Sequence, residues 1–260
     1  MSDDSTQHLD ASLTFFEQML RNRGDNSLDR LRSSQKNLVV IKGLYDNIES
    51  ILDSMQIPYY LTEIESINQE NFAFPQAGSI FLNCPGNGFS RQGLSKIKGY
   101  VENGCKLVTT DWAVEGVVQE IFPNTIKRFG VVMTKDECVA IEPHGDLGKQ
   151  FIGLQYEGAN PKWWLEAQSY PIEILNPAKV TPLITSKELR QKYGSPYIAV
   201  AFPYGEGAVL HFVSHLKAQR TETRDYRDQQ PSQYFANLTQ TIVLKSVPKN
   251  ITVADLETHI

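Results

Sequence analysis

The 260-residue sequence has only three cysteines, and it has no long apolar run. Cys84, Cys105 and Cys138 form an odd set without a C-x-x-C pair, which argues against a disulfide framework and against a structural zinc site. No stretch approaches the roughly 20 apolar residues of a membrane span. The acidic, polar start lacks the basic and apolar regions of a signal peptide. We therefore expect a cytoplasmic protein with no membrane partner.

Positive charge is also scarce, because 25 Lys and Arg residues face 30 Asp and Glu residues, for a formal net charge of -5. This balance excludes a generic basic nucleic-acid binder. The sequence lacks a G-x-G-x-x-G fingerprint and a G-x-x-x-x-G-K-[ST] phosphate loop after its first predicted strand, so no motif supports binding of NAD or a nucleoside triphosphate. No spacing of His, Cys or carboxylates is specific enough to indicate a metal. We accordingly predict neither a metal nor a cofactor.

The first 36 residues have a helical pattern. Apolar residues recur at spacings of four, three and four, which is typical of an amphipathic helix with one apolar face: Leu9, Leu13, Phe16 and Leu20. Gly24 is a plausible stop, and a second short helix around Leu28 follows it. We predict an N-terminal helical arm over residues 1–36, whose apolar face packs either on the same chain or on a partner.

From residue 37 onward, short apolar runs alternate with helical stretches. Strands as uniformly apolar as Leu38–Ile41, separated by helices, indicate a parallel sheet with helices on both faces. The strands are predicted at Leu38–Ile41, Tyr59–Leu61, Ser79–Leu82 and Lys106–Thr109, and the helices at Asn47–Met55, Ser90–Val101 and Ala113–Phe122. We predict a doubly wound α/β domain over residues 37–247 and a C-terminal tail over 248–260.

The second half is more strand-like, with a glycine-containing hairpin turn at Pro203–Gly207. Its strands are predicted at Phe129–Met133, Cys138–Ile141, Val180–Ile184, Tyr197–Phe202 and Ala208–Val213. A polar loop over residues 217–231 and a closing helix at Ser232–Leu244 complete the predicted domain.

Candidate binding residues follow the predicted strands, because ligands of open α/β sheets bind at the carboxyl ends of the strands. They are Tyr45 and Asp46 after the first strand, Asn83, Cys84 and Gly86 after the third, and Asp111 and Trp112 after the fourth. Asp46 and Asp111 have an alternative interpretation as helix N-caps. The turn over residues 83–88 is either a tight turn or a cradle of backbone N–H groups for an anion.

Cys84 and the late histidines are the other candidates. A helix start lowers a thiol pKa, which favours nucleophilic chemistry, but Cys84 precedes a proline and has no base near it in sequence. Strand alternation puts His211 and His215 on one face, and only His215, at the strand end, would reach a cleft. His144 is a further histidine that a loop could bring in.

Two segments, "YVENGCKLVTTDWAVEG" and "YGSPYIAVAFPYGEGAVLHFVSH", resemble the class I glutamine amidotransferase-like superfamily, and within it the trehalose-utilisation (ThuA-like) branch. The resemblance extends over about residues 37–215. It implies a flavodoxin-like sheet with the site at the carboxyl ends of its strands. It also implies that Asp111 stands where the amidotransferases carry a nucleophilic cysteine, and that His215 matches their histidine. A carboxylate cannot form the glutamyl thioester, so glutamine hydrolysis is not expected.

Two functional hypotheses follow. In the first, the chain is a non-amidotransferase module that binds a polar small molecule or an unidentified protein partner in a multi-protein system, with a homodimer as one possibility. In the second, it is a hydrolase or carbohydrate-processing enzyme with Asp111 and His215 as an acid–base pair. A flavin or nucleotide binder, with Tyr45 and Trp112 stacked on a ring, is a weaker third interpretation.

Overall fold

The computed structural model describes residues 13–14, 16–33, 38–75, 78–152, 161–216, 240–246 and 253–257. The strands are β1 (Leu38–Ile41), β2 (Tyr60–Thr62), β3 (Ser79–Leu82), β4 (Lys106–Thr110), β5 (Ile126–Arg128), β6 (Glu137–Ala140), β7 (Glu142–Pro143), β8 (Lys162–Leu165), β9 (Ile172–Ile174), β10 (Thr181–Thr185), β11 (Tyr197–Tyr204) and β12 (Gly207–Phe212). The helices are α1 (Ser27–Ser33), α2 (Ile48–Ser54), α3 (Ile64–Asn68), α4 (Arg91–Glu102), a π-helix (Val114–Val118), α5 (Gln119–Ile121), α6 (Gly145–Ile152), α7 (Lys187–Tyr193) and α8 (Val253–Glu257).

Eight strands form the central sheet in the order β2-β1-β3-β4-β12-β11-β10-β7. The first five of these pair in parallel, whereas β11, β10 and β7 each run antiparallel to the preceding strand in that order. Every residue of β1, β3, β4 and β12 is buried, including the polar Ser79, Lys106, Thr109, Thr110 and His211, as is typical of strands covered on both faces. The predicted class, an α/β fold with a mainly parallel sheet, is confirmed. This order brings the carboxyl ends of β1, β3, β4 and β12 side by side.

The strand predicted at Phe129–Met133 is wrong. The strand lies instead at Ile126–Arg128 and pairs with β9 in a separate two-stranded sheet. Gly130 turns the chain with a φ of +56°, and Val131 is 86% exposed, so this apolar stretch is a surface loop. β7, β8, β9, α6 and α7 were not among the predicted elements.

The single helix predicted at Ala113–Phe122 is also corrected. The chain forms a π-helix at Val114–Val118, in which Gln119 N donates to Val114 O, and only then the short α5. The run contains Gly116 and several valines, which favour α-helix only weakly. Gly116 also passes so close to Gly86 that a Cβ would lie 3.2 Å from its carbonyl oxygen.

The N-terminal helix packs on the chain itself. Residues 16–22 are helical, while the predicted start at residues 9–12 lies outside the described residues. Phe16 is only 1% exposed and joins the same core as the central sheet. Arg32 of α1 also ties this helix to the rest of the chain, because its side chain contacts Glu17 of the helix at 2.6 Å and donates to Met55 O. In the described part of the arm, the apolar face is therefore covered without a partner.

The C-terminal segments also contribute to the core. Residues 240–246 are helical, which agrees with the end of the predicted closing helix, whereas residues 217–239 lie outside the described part. The region predicted as a tail contains α8, whose Leu256 is fully buried. None of the helices in the described residues has the length and apolar character needed to cross a membrane.

Candidate functional site

A cavity of about 460 Å³ lies where β1, β3, β4 and β12 end. It is lined by Leu44, Tyr45, Cys84, Asp111, Trp112, Asp136, Glu166, Ala167, Gln168 and His215. Five of the eight candidate site residues from the sequence are in this set. The other three, Asp46, Asn83 and Gly86, lie next to the cavity and hold its walls.

Asn83 and Asp46 hold loops rather than face the cavity. Asn83 accepts a hydrogen bond from Ile48 N and donates one to Glu49, so it binds the start of α2. Asp46 accepts from Asn47 N at 2.8 Å and from Thr110 Oγ1 at 2.7 Å, which ties the β1 loop to the end of β4. Asp46 is not the N-cap of α2; that role belongs to Asn47, whose side chain accepts from Ser50 N.

Gly86 serves packing at the turn after β3. Its φ is +70°, and an added Cβ would lie 2.9 Å from a Leu82 methyl and 3.1 Å from a Val117 methyl. Glycine is needed there both for the positive φ and for the close approach of these two side chains.

Asp111 directly follows β4 and has a left-handed backbone, with a φ of +46°. Its N–H donates to Phe212 O at the end of β12. Its two carboxylate oxygens accept hydrogen bonds from Ser169 Oγ at 2.9 Å and from Tyr170 N at 2.7 Å. The N-cap interpretation of Asp111 is therefore wrong: the helix that follows has no side-chain cap, and the carboxylate faces the loop after β8.

His215 reaches the cavity because the chain leaves the sheet before it. β12 ends at Phe212, and Ser214 takes a φ of +69°. The side-chain alternation of a strand, which predicted that His211 and His215 share one face, therefore stops before His215. His215 Nδ1 is hydrogen-bonded to Glu166 Oε2, and its Nε2 lies 3.5 Å from Asp111 Oδ2. Its side chain is only 6% exposed.

Cys84 sits beside this pair. Its sulphur, a carboxylate oxygen of Asp111 and a ring nitrogen of His215 all lie within 4.8 Å of one another. Its carbonyl oxygen accepts hydrogen bonds from Leu44 N and Tyr45 N, which fixes the β3 loop against the β1 loop. All three cysteines of the chain are free thiols.

The pKa of each of the three side chains is displaced from its ordinary value. Burial alone would lower the pKa of His215, but the adjoining Cys84 thiol, Glu166, and the charges of Asp46 and Asp111 outweigh it and raise the pKa to about 10. Burial raises the pKa of Asp111 to about 6, although His215 and the hydrogen bonds from residues 169 and 170 oppose that rise. Burial also raises the pKa of Cys84, and His215 offsets this only in part.

One wall of the cavity is aromatic. Trp112 stacks on Tyr170 with a centroid distance of 5.2 Å and meets the edge of Tyr45 at 5.3 Å. Its indole N–H donates to Gln168 O, and the Arg128 guanidinium lies 3.6 Å from the centre of the Tyr170 ring. The cavity thus combines a polar floor with a flat apolar side.

The remaining histidines lie elsewhere. His211 is completely buried within the sheet, where its Nδ1 is 2.9 Å from Thr109 Oγ1. His144 lines a separate cavity of about 630 Å³ with Glu142, Asp146 and Arg190.

Sequence reasoning missed Asp136, Glu166 and Ser169. Glu166 follows the apolar, aromatic strand β8, which was not predicted. An acidic residue directly after such a run is the same signal that identified Asp111, so recognition of β8 would have revealed it.

The comparisons with known proteins support the fold and nothing finer. No protein-family model matches the sequence, and no curated protein matches it. Among solved structures, a glutamine amidotransferase from Thermotoga maritima matches with 10% identity and a TM-score of 0.54, over 83% of this chain and 100% of that chain. A glutamine amidotransferase from Methylobacillus flagellatus matches with 10% identity and a TM-score of 0.53, over 82% and 96%.

A β-galactosidase from Bacillus circulans sp. alkalophilus matches with 11% identity and a TM-score of 0.50, over 81% of this chain and 30% of that chain. The chain spans about a third or less of the length of the β-galactosidases that it matches. At these identities the likeness shows the fold alone. The chain has the class I glutamine amidotransferase-like fold.

Proposed function

We propose that this chain is a non-amidotransferase protein that binds a polar small molecule in the cavity at the carboxyl ends of β1, β3, β4 and β12. The observation that carries the proposal is the composition of that cavity: a buried polar floor of Cys84, Asp111 and His215 beneath an aromatic wall. Few, well-placed polar groups beside apolar surface are the usual make-up of a small-molecule site.

Asp111 is the reason to exclude glutamine hydrolysis. It directly follows β4 with a left-handed backbone, and we equate this position with the cysteine of the amidotransferases, as the sequence resemblance implies. A carboxylate at this point cannot form a thioester. We assign the chain to the ThuA-like branch on the same sequence grounds.

The proposal includes a cytoplasmic setting in a multi-protein system, with a protein partner or a second copy of the chain. The described part of the N-terminal helix, residues 16–22, does not offer its apolar face for docking, because Phe16 and Leu20 are buried against the chain itself. The exposed Leu44 and Tyr45 at the rim of the cavity are the better candidates for such a contact.

A thermal-shift screen against sugars, amino acids and nucleotides, run with a chelator, tests the binding proposal. A ligand at about 100 times its Kd adds about 2.7 kcal/mol of stability, which raises the Tm by roughly 5 °C or more in a domain of this size. We expect Trp112→Ala to lose the shift because it removes the aromatic wall. Tyr60→Ala, on β2 outside the cavity, is the control and should keep it. A shift that survives Trp112→Ala would contradict binding in this cavity.

A second candidate, hydrolysis of a sugar or acyl compound, is favoured by one distance: Asp111 Oδ2 is 3.5 Å from His215 Nε2 at the edge of the cavity. Groups this close can share a proton with a bound water or substrate. With chromogenic glycosides and esters, we expect Asp111→Asn and His215→Gln to lower kcat/KM by about 10²- to 10⁴-fold. His144→Gln is the control, and glutamine in the same panel should release no ammonia. Equal rates in wild type and His215→Gln would rule this candidate out.

A further inference from the structure

Three side chains that commonly bind metals converge at the floor of the cavity, from three different strand ends. The Cys84 sulphur, an Asp111 carboxylate oxygen and a His215 ring nitrogen lie within 4.8 Å of one another. We propose that Cys84, Asp111 and His215 form a Zn²⁺ site, with Nε2 as the His215 ligand atom. This site goes beyond the binding function proposed above and does not depend on it.

The orientation of His215 is the main support. Its Nδ1 is hydrogen-bonded to Glu166, while its Nε2 is buried, makes no hydrogen bond to any described residue and has only a 3.5 Å ion-pair contact with Asp111 Oδ2, with the Cys84 sulphur nearby. Histidines that ligate metals typically donate their other ring N–H to a carboxylate, which fixes the ring and the tautomer. A buried polar nitrogen without a hydrogen bond is costly, and a metal ion at this point would satisfy it.

Asp111 is equally constrained. Each carboxylate oxygen accepts one hydrogen bond, from Ser169 Oγ or Tyr170 N. A carboxylate oxygen has two lone pairs, so each keeps one available for a metal. Ligating carboxylates are usually held by such hydrogen bonds, and Asp111 Oδ2 lies 3.5 Å from His215 Nε2.

The charge around the cluster favours a cation. The described cavity lining contains the carboxylates of Asp111, Asp136 and Glu166, with His215 as its one basic side chain. Asp46 adds a further negative charge that acts on His215. A divalent ion that replaces protons on the cysteine and the histidine would balance this excess.

The types of ligand atom at this site indicate which metal it would bind. One thiolate, one imidazole and one carboxylate suit Zn²⁺, whereas Mg²⁺ and Ca²⁺ require oxygen ligands. Tetrahedral zinc places its ligand atoms about 3.5 Å apart, so the ligand atoms, which lie within 4.8 Å of one another, need to approach by up to about 1.3 Å on binding. Three protein ligands leave a fourth position open toward the cavity, which is the arrangement of catalytic rather than structural zinc sites. No local motif indicates this site, because the three ligands are far apart along the chain.

Metal titration of the purified full-length chain tests the site. After bound metal is removed and Zn²⁺ is added back, we expect elemental analysis to find one Zn²⁺ per chain. Co²⁺ added in place of Zn²⁺ should produce a thiolate-to-cobalt charge-transfer band in the near ultraviolet. Cys84→Ser and His215→Gln should weaken Zn²⁺ binding by at least about 100-fold, and Glu166→Gln by about 10- to 100-fold. Cys138→Ser and His144→Gln, which change the same residue types outside this cavity, should bind as wild type does.

The absence of a stoichiometric metal and of the cobalt band in wild type would overturn the proposal. Zn²⁺ binding of equal strength in Cys84→Ser would overturn it as well. If a variant does not fold, as judged by circular dichroism, the presence or absence of the cobalt charge-transfer band in the wild type alone decides whether Cys84 ligates the metal. Because the ligand screen above is run with a chelator, a failure of small-molecule binding and a failure of the zinc site give separate results.

Discussion

Gly43→Ala is expected to lower the free energy of unfolding by about 4 kcal/mol, because a methyl group has no room at the end of β1. An added Cβ would lie 2.3 Å from Cys84 O and 2.6 Å from Asn83 Cβ. Neither atom is the free end of a flexible side chain, so the loops after β1 and β3 must separate. That movement also breaks the hydrogen bonds from Leu44 N and Tyr45 N to Cys84 O.

Gly99→Ala is the matched control. Gly99 lies in α4, and nothing lies within 4 Å of a Cβ added there. We expect this substitution to stabilise the protein by about 0.5–1 kcal/mol through helix propensity. Urea unfolding followed by circular dichroism measures both effects. If Gly43→Ala unfolds within 1 kcal/mol of wild type, the close packing of the two loops is not as described.

The same substitution tests the geometry of the site. Separation of the two loops moves Cys84 away from Asp111 and His215. In the fraction of Gly43→Ala that remains folded, we therefore expect a weaker cobalt charge-transfer band. A band of wild-type intensity would mean that the position of Cys84 does not depend on the β1 loop.

The parallel half of the sheet could be predicted from the sequence because burial on both faces leaves a plain signal. β1 is a continuous apolar run, β3 is apolar after its first residue, Ser79, and the predicted bounds of both match the structure to the residue. A strand covered by helices on both sides has no polar face, so propensity and burial point to the same assignment. The hairpin of β11 and β12 was predictable for a similar reason, since Gly205 supplies the positive φ of its turn.

The two-stranded sheet of β5 and β9 left no such signal, whereas β6 of the other small sheet was predicted to within one residue, at Cys138–Ile141. β5 has the sequence Ile126-Lys127-Arg128, and only its first residue is buried. The apolar stretch that follows it is exposed, so hydrophobicity pointed to the wrong segment. Short strands of this kind are defined by their tertiary partners rather than by their own residues.

In the candidate site, too, some features could be predicted from the sequence and others depend on tertiary contacts. Individual residues at strand ends could be named, because the carboxyl ends of parallel strands share one edge. The pairing of Asp111 with His215 was predicted only through the family resemblance, and the place of Cys84 beside them was not predicted, because it depends on β12 inserting beside β4. That insertion brings His215 to Cys84, which has no histidine near it in sequence.

His211 is expected to make the protein sensitive to acid. It is completely buried, and burial alone lowers its pKa from 6.5 to about 3. Below pH 6.5 the unfolded chain therefore binds a proton that the folded chain does not. Its contribution to stability is fully present above pH 6.5 and is lost as the pH falls toward 3. Between pH 7 and pH 5 this one residue should cost about 2 kcal/mol of unfolding free energy.

Two variants separate titration from packing. His211→Asn keeps a polar group near Thr109 Oγ1 but cannot titrate, so its stability should fall less than that of wild type between pH 7 and pH 5, by about 2 kcal/mol. Thr109→Val removes the hydrogen bond to His211 Nδ1 but keeps the imidazole, so it should lower stability at both pH values and preserve the wild-type pH dependence. Urea unfolding at the two pH values measures this. If stability changes equally with pH in wild type and His211→Asn, the buried imidazole accepts a proton without unfolding. We do not expect this result, because no charged group among the described residues shifts the pKa of His211.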